Sequence, residues 1–214
     1  MITDTYSTFA PFYDLLSGEY PVYRAGRAVG IELLDLEPGA QVLDIGCGTG
    51  LNFPLLQQKI GPRGSIVGID RSPGMLARTR RKAERRGWTN VILLQADATT
   101  MSPDGMASRI AAEAGREVSD AVLATYSLSL MGEWEAAWTT MTRLVRPGGT
   151  MGVVDMQEPT GPYSVLAPLA RAACRLGGSD INAHPWRAVE RDCIDVTAAS
   201  ARGNHLQIRV GRCA

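Results

Sequence analysis

The chain has no surplus of either charge, with 22 Lys and Arg against 22 Asp and Glu. That balance argues against a general nucleic-acid binder or a protein drawn to acidic membranes, both of which show a basic excess. Its apolar runs are strand-length, far below the roughly 18 residues of a membrane span, so no transmembrane segment is expected. The first residues, Met1-Ile2-Thr3-Asp4, carry neither the basic nor the apolar region of a secretory signal. Cysteine is sparse: Cys47, Cys174, Cys193 and Cys213 form no C-x-x-C pair. With only two histidines beside them, no metal centre is expected, and a reduced, cytoplasmic protein is the simplest expectation. What remains is ordinary globular material. The 214 residues, 45% of them apolar, are enough for one good core and short for two.

Against this plain background, the stretch Val42-Leu43-Asp44-Ile45-Gly46-Cys47-Gly48-Thr49-Gly50 stands out. A strand pattern runs into three glycines at every second position, and a helix-like segment follows. Glycine tolerates positive φ and has no Cβ, so such a turn brings bare backbone against a ligand. The G-x-G-x-x-G dinucleotide pattern would need its third glycine where Leu51 stands. The loop therefore suits a nucleotide-like ligand other than NAD.

Strand and helix signals alternate from Gln41 onward. Strands are expected at Gln41–Ile45, Ser65–Ile69, Val91–Gln95, Ala121–Thr125 and Met151–Asp155. Helices are expected at Asn52–Ile60, from Ser72-Pro73 to about Arg86, at Asp104–Ala114 and at Glu133–Leu144. This order predicts an α/β fold: a mostly parallel sheet with helices on both faces, and a ligand at the carboxyl ends of the strands. Ahead of the sheet, residues 1–38 read as helical, and a helix from about Tyr20 to Leu36 carries Val22, Ala25, Val29 and Leu33 at helical spacing. Phe9, Phe12, Tyr13, Tyr20 and Tyr23 suggest packing on the domain or a lid over the glycines, with Tyr13 as a ligand contact. The basic cluster from Arg78 to Arg86 reads as a solvated helix face.

Three carboxylates fall at successive strand ends. Asp70 lies about two dozen residues beyond the glycines, near the ~20-residue offset at which an acid meets a ribose hydroxyl. An ionised carboxylate only accepts hydrogen bonds, so it suits a vicinal diol and repels a 2′-phosphate. Asp97 offers the same chemistry to an exocyclic amine such as adenine N6. Asp44 precedes the glycines, placed to hold an amine-bearing part of the ligand through the loop. An amine, a ribose and an adenine without phosphates fit this set.

The sequence Leu43-Asp44-Ile45-Gly46-Cys47-Gly48-Thr49-Gly50 resembles the first motif of class I S-adenosylmethionine-dependent methyltransferases. Gly68-Ile69-Asp70 is similar to their second motif and Gln95-Ala96-Asp97-Ala98 to their third. Leu144-Val145-Arg146-Pro147-Gly148-Gly149 resembles the turn before their fifth strand. The likeness covers about residues 38 to 155. It implies a Rossmann-like seven-stranded sheet whose last strand is antiparallel, with Asp195–Ala201 and His205–Val210 as a closing hairpin. It implies one domain: an N-terminal helical lid (1–38), a cofactor-binding core (39–155), and an acceptor-side insert with the hairpin (156–214). S-adenosylmethionine, released as S-adenosylhomocysteine, would lie on Asp44, Gly46, Cys47, Gly48, Gly50 and Asn52. Asp70, flanked by Arg71 and Met75, would take the ribose, while Asp97, Ala98 and Thr125 complete the set.

No D/N-P-P-Y/F sequence follows the fourth strand, which reads Ala124-Thr125-Tyr126-Ser127. This departs from enzymes that methylate amino groups of DNA or glutamine and points to a small-molecule or lipid acceptor. Phe9-Ala10-Pro11-Phe12-Tyr13-Asp14 resembles a short segment of quinone-methylating and bacterial phospholipid N-methylating enzymes. Tyr126, Asp155 and His184 are the candidates for proton removal. Val165, Leu166, Leu169, Ala172 and Leu176 form an apolar stripe beside Arg171 and Arg175, expected to pack on the sheet or else to meet a greasy acceptor or a membrane surface. The rival readings are phospholipid head-group methylation, a non-catalytic cofactor-binding module and an NAD-dependent oxidoreductase. Either a monomer or a homodimer is compatible with the sequence.

Overall fold

The computed structural model describes residues 22–214, so Tyr13 and the other aromatics before Val22 lie outside the described residues. A single seven-stranded sheet runs in the order β3-β2-β1-β4-β5-β7-β6. Its strands are β1 (Gln41–Ile45), β2 (Ser65–Asp70), β3 (Val91–Gln95), β4 (Ser119–Thr125), β5 (Val145–Met156), β6 (Cys193–Ala201) and β7 (Leu206–Cys213). β1 pairs in parallel with β2 on one side and β4 on the other, so the strand order reverses at its carboxyl end. β7 is antiparallel to both β5 and β6, as expected of the closing hairpin.

Helices cover both faces. α1 (Arg24–Leu33), α2 (Phe53–Ile60) and α3 (Pro73–Arg86) lie on one side. On the other lie α4 (Pro103–Ala114), α5 (Trp134–Leu144) and the short α7 (Arg187–Asp192), while α6 (Ala167–Gly177) sits beyond β5. The strands feed both cores by alternation. Leu43 and Ile45 of β1 join Val67, Ile69, Met106, Ile110, Trp138 and Val189. Val42, just before Leu43, joins Ile31, Leu34, Phe53, Leu56, Ile66 and Val154 on the opposite face.

Boundary signals act as their chemistry predicts. Ser72 accepts from the Met75 backbone N–H at 3.4 Å, Pro73 opens α3, and Gly87 closes it in the left-handed conformation. β5 is longer than expected, taking in Val145 and the Pro147-Gly148-Gly149 turn, with a register break against β4 between Ser119 and Ala121.

Two apolar stripes do not face where sequence spacing puts them. In α1 the buried residues are Gly26, Arg27, Gly30 and Ile31, while Val29 is exposed. The two glycines let the helix sit unusually close to the sheet. A Cβ on Gly30 would lie 2.4 Å from Val154 Cγ2, and one on Gly26 would lie 2.3 Å from the Tyr126 hydroxyl. In α6 the buried residues are small, Ala167 and Cys174, and Cys174 with Ala170 packs against Met156 and Leu206 of the sheet. The stripe expected to pack on the sheet instead points outward, with Leu169 and Leu176 at 69% and 91% exposure. Arg171 beside it is paired with Glu158 at 2.8 Å. Among the described residues no helix is long and apolar enough to cross a membrane.

Candidate active site

The loop after β1 is pinned on three sides. The Gly46 and Cys47 N–H groups both donate to the Ile69 carbonyl, at 2.8 and 3.0 Å, and Gly50 N–H donates back to Cys47 O. Gly46 has φ +67°, and a Cβ there would sit 2.5 Å from Ser127 Cβ. Gly50 has φ +71°, and its Cβ would meet Thr79 at 2.8 Å. Sterics and backbone conformation both demand glycine at these two positions. From α3, the Thr79 hydroxyl donates to Gly48 O at 2.7 Å and Lys82 Nζ to Thr49 O at 2.6 Å. One member of the basic cluster thus holds the loop, while most of its neighbours are exposed.

Asp70 at the end of β2 bridges the loop to the start of α3. One carboxylate oxygen accepts from Gly48 N–H and the other from Ser72 N–H, both at 2.8 Å. Asp97 is held by the Thr99 backbone N–H at 2.9 Å and hydroxyl at 2.7 Å, both on the same oxygen, which leaves the other open. Partial burial alone would raise its pKa. The Thr99 hydrogen bonds and the Arg71 charge outweigh this and hold Asp97 below the usual carboxylate value.

These groups surround one cavity of about 290 Å³ at the carboxyl ends of β1, β2 and β4. Of the expected cofactor residues, Gly46, Cys47, Gly48, Asp70, Arg71 and Met75 line it, as do Asp97, Ala98 and Thr125. Asp44, Gly50 and Asn52 do not; Asp44 and Asn52 lie buried behind the loop. Among the candidates for proton removal, only Tyr126 lines the cavity. Its hydroxyl donates to the Tyr23 carbonyl at 2.8 Å. The Asp155 carboxylate is fully buried and accepts from Ser129 N–H at 3.1 Å and Met156 N–H at 2.9 Å. It thereby anchors the short turn Leu128–Leu130, which leads into the cavity wall. His184 packs beside Trp186, off the cavity.

Sequence reading passes over the residue beneath the floor. Arg27 of α1 is 7% exposed and donates from one nitrogen to Asn52 Oδ1 and Thr125 Oγ1, both at 2.6 Å. Asn52 in turn donates to both Asp44 oxygens, at 2.9 and 2.8 Å. The guanidinium lies 5.4 Å from the Tyr126 ring centroid and lines the cavity. A buried cation and a buried carboxylate are thus joined through one amide. Glu133, Met131 and Gly132 complete the far wall. Nothing in their spacing singles them out, because they belong to an irregular turn.

Burial pushes the Asp44 carboxyl up to about 7, against the Asn52 hydrogen bonds and the Arg27 charge. It pushes Asp155 up to about 6 against its Ser129 and Met156 bonds. Both hold protons in the folded state where the unfolded chain, at its ordinary value of 3.8, has released them. Their stabilisation is fully present below 3.8 and is lost as pH rises through about 6 and about 7. His184 and His205, lowered by burial, act in the opposite sense, but only up to the ordinary histidine value of 6.5. Between about pH 6.5 and 8 the unliganded protein is therefore expected to lose stability on the order of 1 kcal/mol. Denaturant midpoints measured across that interval check this, and a flat or rising series would contradict it.

Comparisons with known proteins identify the family. A family model described as "Methyltransferase domain" matches residues 36–197, most of the chain. The chain belongs to this methyltransferase family. It is 29% identical over 169 residues to the aklanonic acid methyltransferase DauC of Streptomyces sp. (strain C5), covering 78% of this chain and 70% of that protein. It is 31% identical over 157 residues to the demethylmenaquinone methyltransferase of Thermus thermophilus, covering 72% and 65%. The chain therefore spans a little under two thirds of the length of that quinone enzyme. Among solved structures, an S-adenosylmethionine-dependent methyltransferase from Aquifex aeolicus aligns with TM-score 0.61 at 15% identity, over 94% of this chain and 97% of that one. The [4+2]-cyclase SpnF aligns with TM-score 0.68 at 17% identity, over 99% and 94%. At such identities the structural likeness speaks for the fold alone. Family membership makes the protein an S-adenosylmethionine-dependent methyltransferase related to quinone-methylating enzymes.

Proposed function

We propose that this methyltransferase acts on a small, lipophilic acceptor by in-line transfer, with the cofactor held in the cavity beside the glycine loop. The observation that carries this reading is the position of Asp70 and Asp97, two acceptor carboxylates at successive strand ends, on one cavity. Asp70 receives the ribose hydroxyls and Asp97 the adenine amine. The methionine end lies along Gly46–Gly48, with its carboxylate toward Arg27 and Thr125.

The cofactor's sulfonium supplies an electrophilic methyl group, so the protein's task is to orient the acceptor and exclude water. Tyr126, Leu130, Met131 and Gly132 form the wall that does this. A base is required only where the accepting atom must lose a proton early. Asp155 and His184 stand off the cavity, which leaves Tyr126, Glu133 or solvent to take such a proton. The names of the relatives, one acting on aklanonic acid and others on demethylmenaquinone, favour a polyketide-like or quinone-like acceptor over a lipid head group. The outward apolar face of α6 supports brief contact with a membrane holding such a molecule.

Calorimetry with S-adenosylhomocysteine is expected to show micromolar binding, and absent binding beside clear NADH binding would sink the proposal. Transfer of labelled methyl should then be screened across quinones, phenols, amines and phospholipids. Label in quinones or phenols supports the reading, while label in phospholipid alone favours the head-group alternative. Cofactor binding without transfer to any class favours a binding module.

A further inference from the structure

Cys193 opens β6 and Cys213 closes β7, and the two are direct partners in the antiparallel ladder. Residues directly opposite in such a ladder have Cα atoms about 4.5 or 5.5 Å apart and point to the same face. Both spacings fall within the roughly 4.4–6.8 Å spanned by disulfides. The side chains share that face here, since both pack, half-buried, against the cluster containing Trp138, Val145 and Met151. We propose that Cys193 and Cys213 form an oxidisable dithiol that peroxide converts to an intrachain disulfide, stapling the edge hairpin of the sheet.

The chemistry balances with hydrogen peroxide as oxidant. One of the two sulfurs attacks the O–O bond, becoming a sulfenic acid as water leaves. The other sulfur then displaces the sulfenic oxygen as a second water, and the S–S bond forms. Two thiols are oxidised and one peroxide is reduced. Burial, with the neighbouring Cys213 and Asp192, pushes the Cys193 thiol up to about 11. The other two cysteines are screened from this reaction. Cys174 and Cys47 are buried, and burial together with Asp44 and Asp70 raises the Cys47 thiol well above its ordinary value.

The staple lies away from the cofactor. β6 runs parallel to β1, so its first residue sits at the sheet end opposite the glycine loop, and the antiparallel β7 finishes at that same end. Oxidation is therefore expected to restrain the unfolded chain, raising the melting temperature by several degrees, while S-adenosylhomocysteine affinity stays within about two-fold.

The test treats the full chain with hydrogen peroxide, blocks free thiols, and maps peptides by mass spectrometry without reduction. The expected result is one linked peptide pair joining Cys193 to Cys213, with the loss of two hydrogen atoms. Dithiothreitol should reverse both the link and the melting shift. Cys213→Ala and Cys193→Ala should each lack the shift, while Cys174→Ala should keep it. Persistent free thiols at both positions, a sulfinic acid without a link, or links between chains would overturn the proposal.

Discussion

Replacing Asp70 with alanine is expected to weaken S-adenosylhomocysteine binding by about 10- to 100-fold. Hydrogen bonds to a charged group contribute ~1.5–3 kcal/mol each, and a tenfold change corresponds to ~1.4 kcal/mol. In the proposed complex this carboxylate receives ribose hydroxyls while still holding Gly48 N–H and Ser72 N–H. The alanine variant loses both functions at once, so Asp70→Asn is the informative companion. Its amide oxygen can keep one backbone contact, but its NH₂ donates where the carboxylate accepts. Titration calorimetry of both variants is decisive when paired with melting of the unliganded proteins. Wild-type affinity in Asp70→Ala would remove the ribose role from this residue. A loss of stability without loss of affinity would reduce Asp70 to a brace for the loop.

Arg27→Met should give the largest effect on stability. The guanidinium is buried and satisfies Asn52 and Thr125, and through Asn52 it supports Asp44. Removing one member of a buried ionic network costs ~3–5 kcal/mol because a charge is left without compensation. The low end, about 3 kcal/mol, is expected, since Asp44 already titrates near 7 and can neutralise by taking a proton. The variant should therefore be much less stable in denaturant, and the pH at which Asp44 ionises should move upward. A change below about 1 kcal/mol would mean that the network tolerates the loss and that Arg27 is only one of several braces.

The lining of the candidate cofactor cavity was legible because its chemistry is written locally. Gly46, Gly48, Asp70 and Asp97 each sit at the end of a strand, where alternation fixes which way the chain faces. Two of the glycines prove obligatory for reasons beyond their turn: Ser127 occupies the space of a Gly46 side chain, and Thr79 that of Gly50. Arg27 was not legible. Its helix turns glycines toward the sheet, so a search for apolar periodicity picks Val29, which is exposed, and passes over Gly26, Gly30 and the arginine between them. The same blindness affects α6, where Ala167 and Cys174 are the buried residues and the leucines face outward. Asp155 illustrates another limit. A strand-end aspartate reads as a catalytic candidate, yet its oxygens serve two backbone N–H groups, and only coordinates reveal that.

In the proposed complex the Arg27–Asn52–Asp44 chain also makes the proton a co-ligand of the cofactor. A group titrating near 7 under the loop responds to any charge placed above it, and the response is mutual. A cation arriving over Gly46 favours release of the Asp44 proton, whereas an anion drawn to Arg27 weakens the field that keeps Asp44 ionised. Cofactor affinity and proton affinity must therefore change together. Near neutral pH, binding is coupled to proton exchange, so the measured heat will depend on the ionisation enthalpy of the buffer.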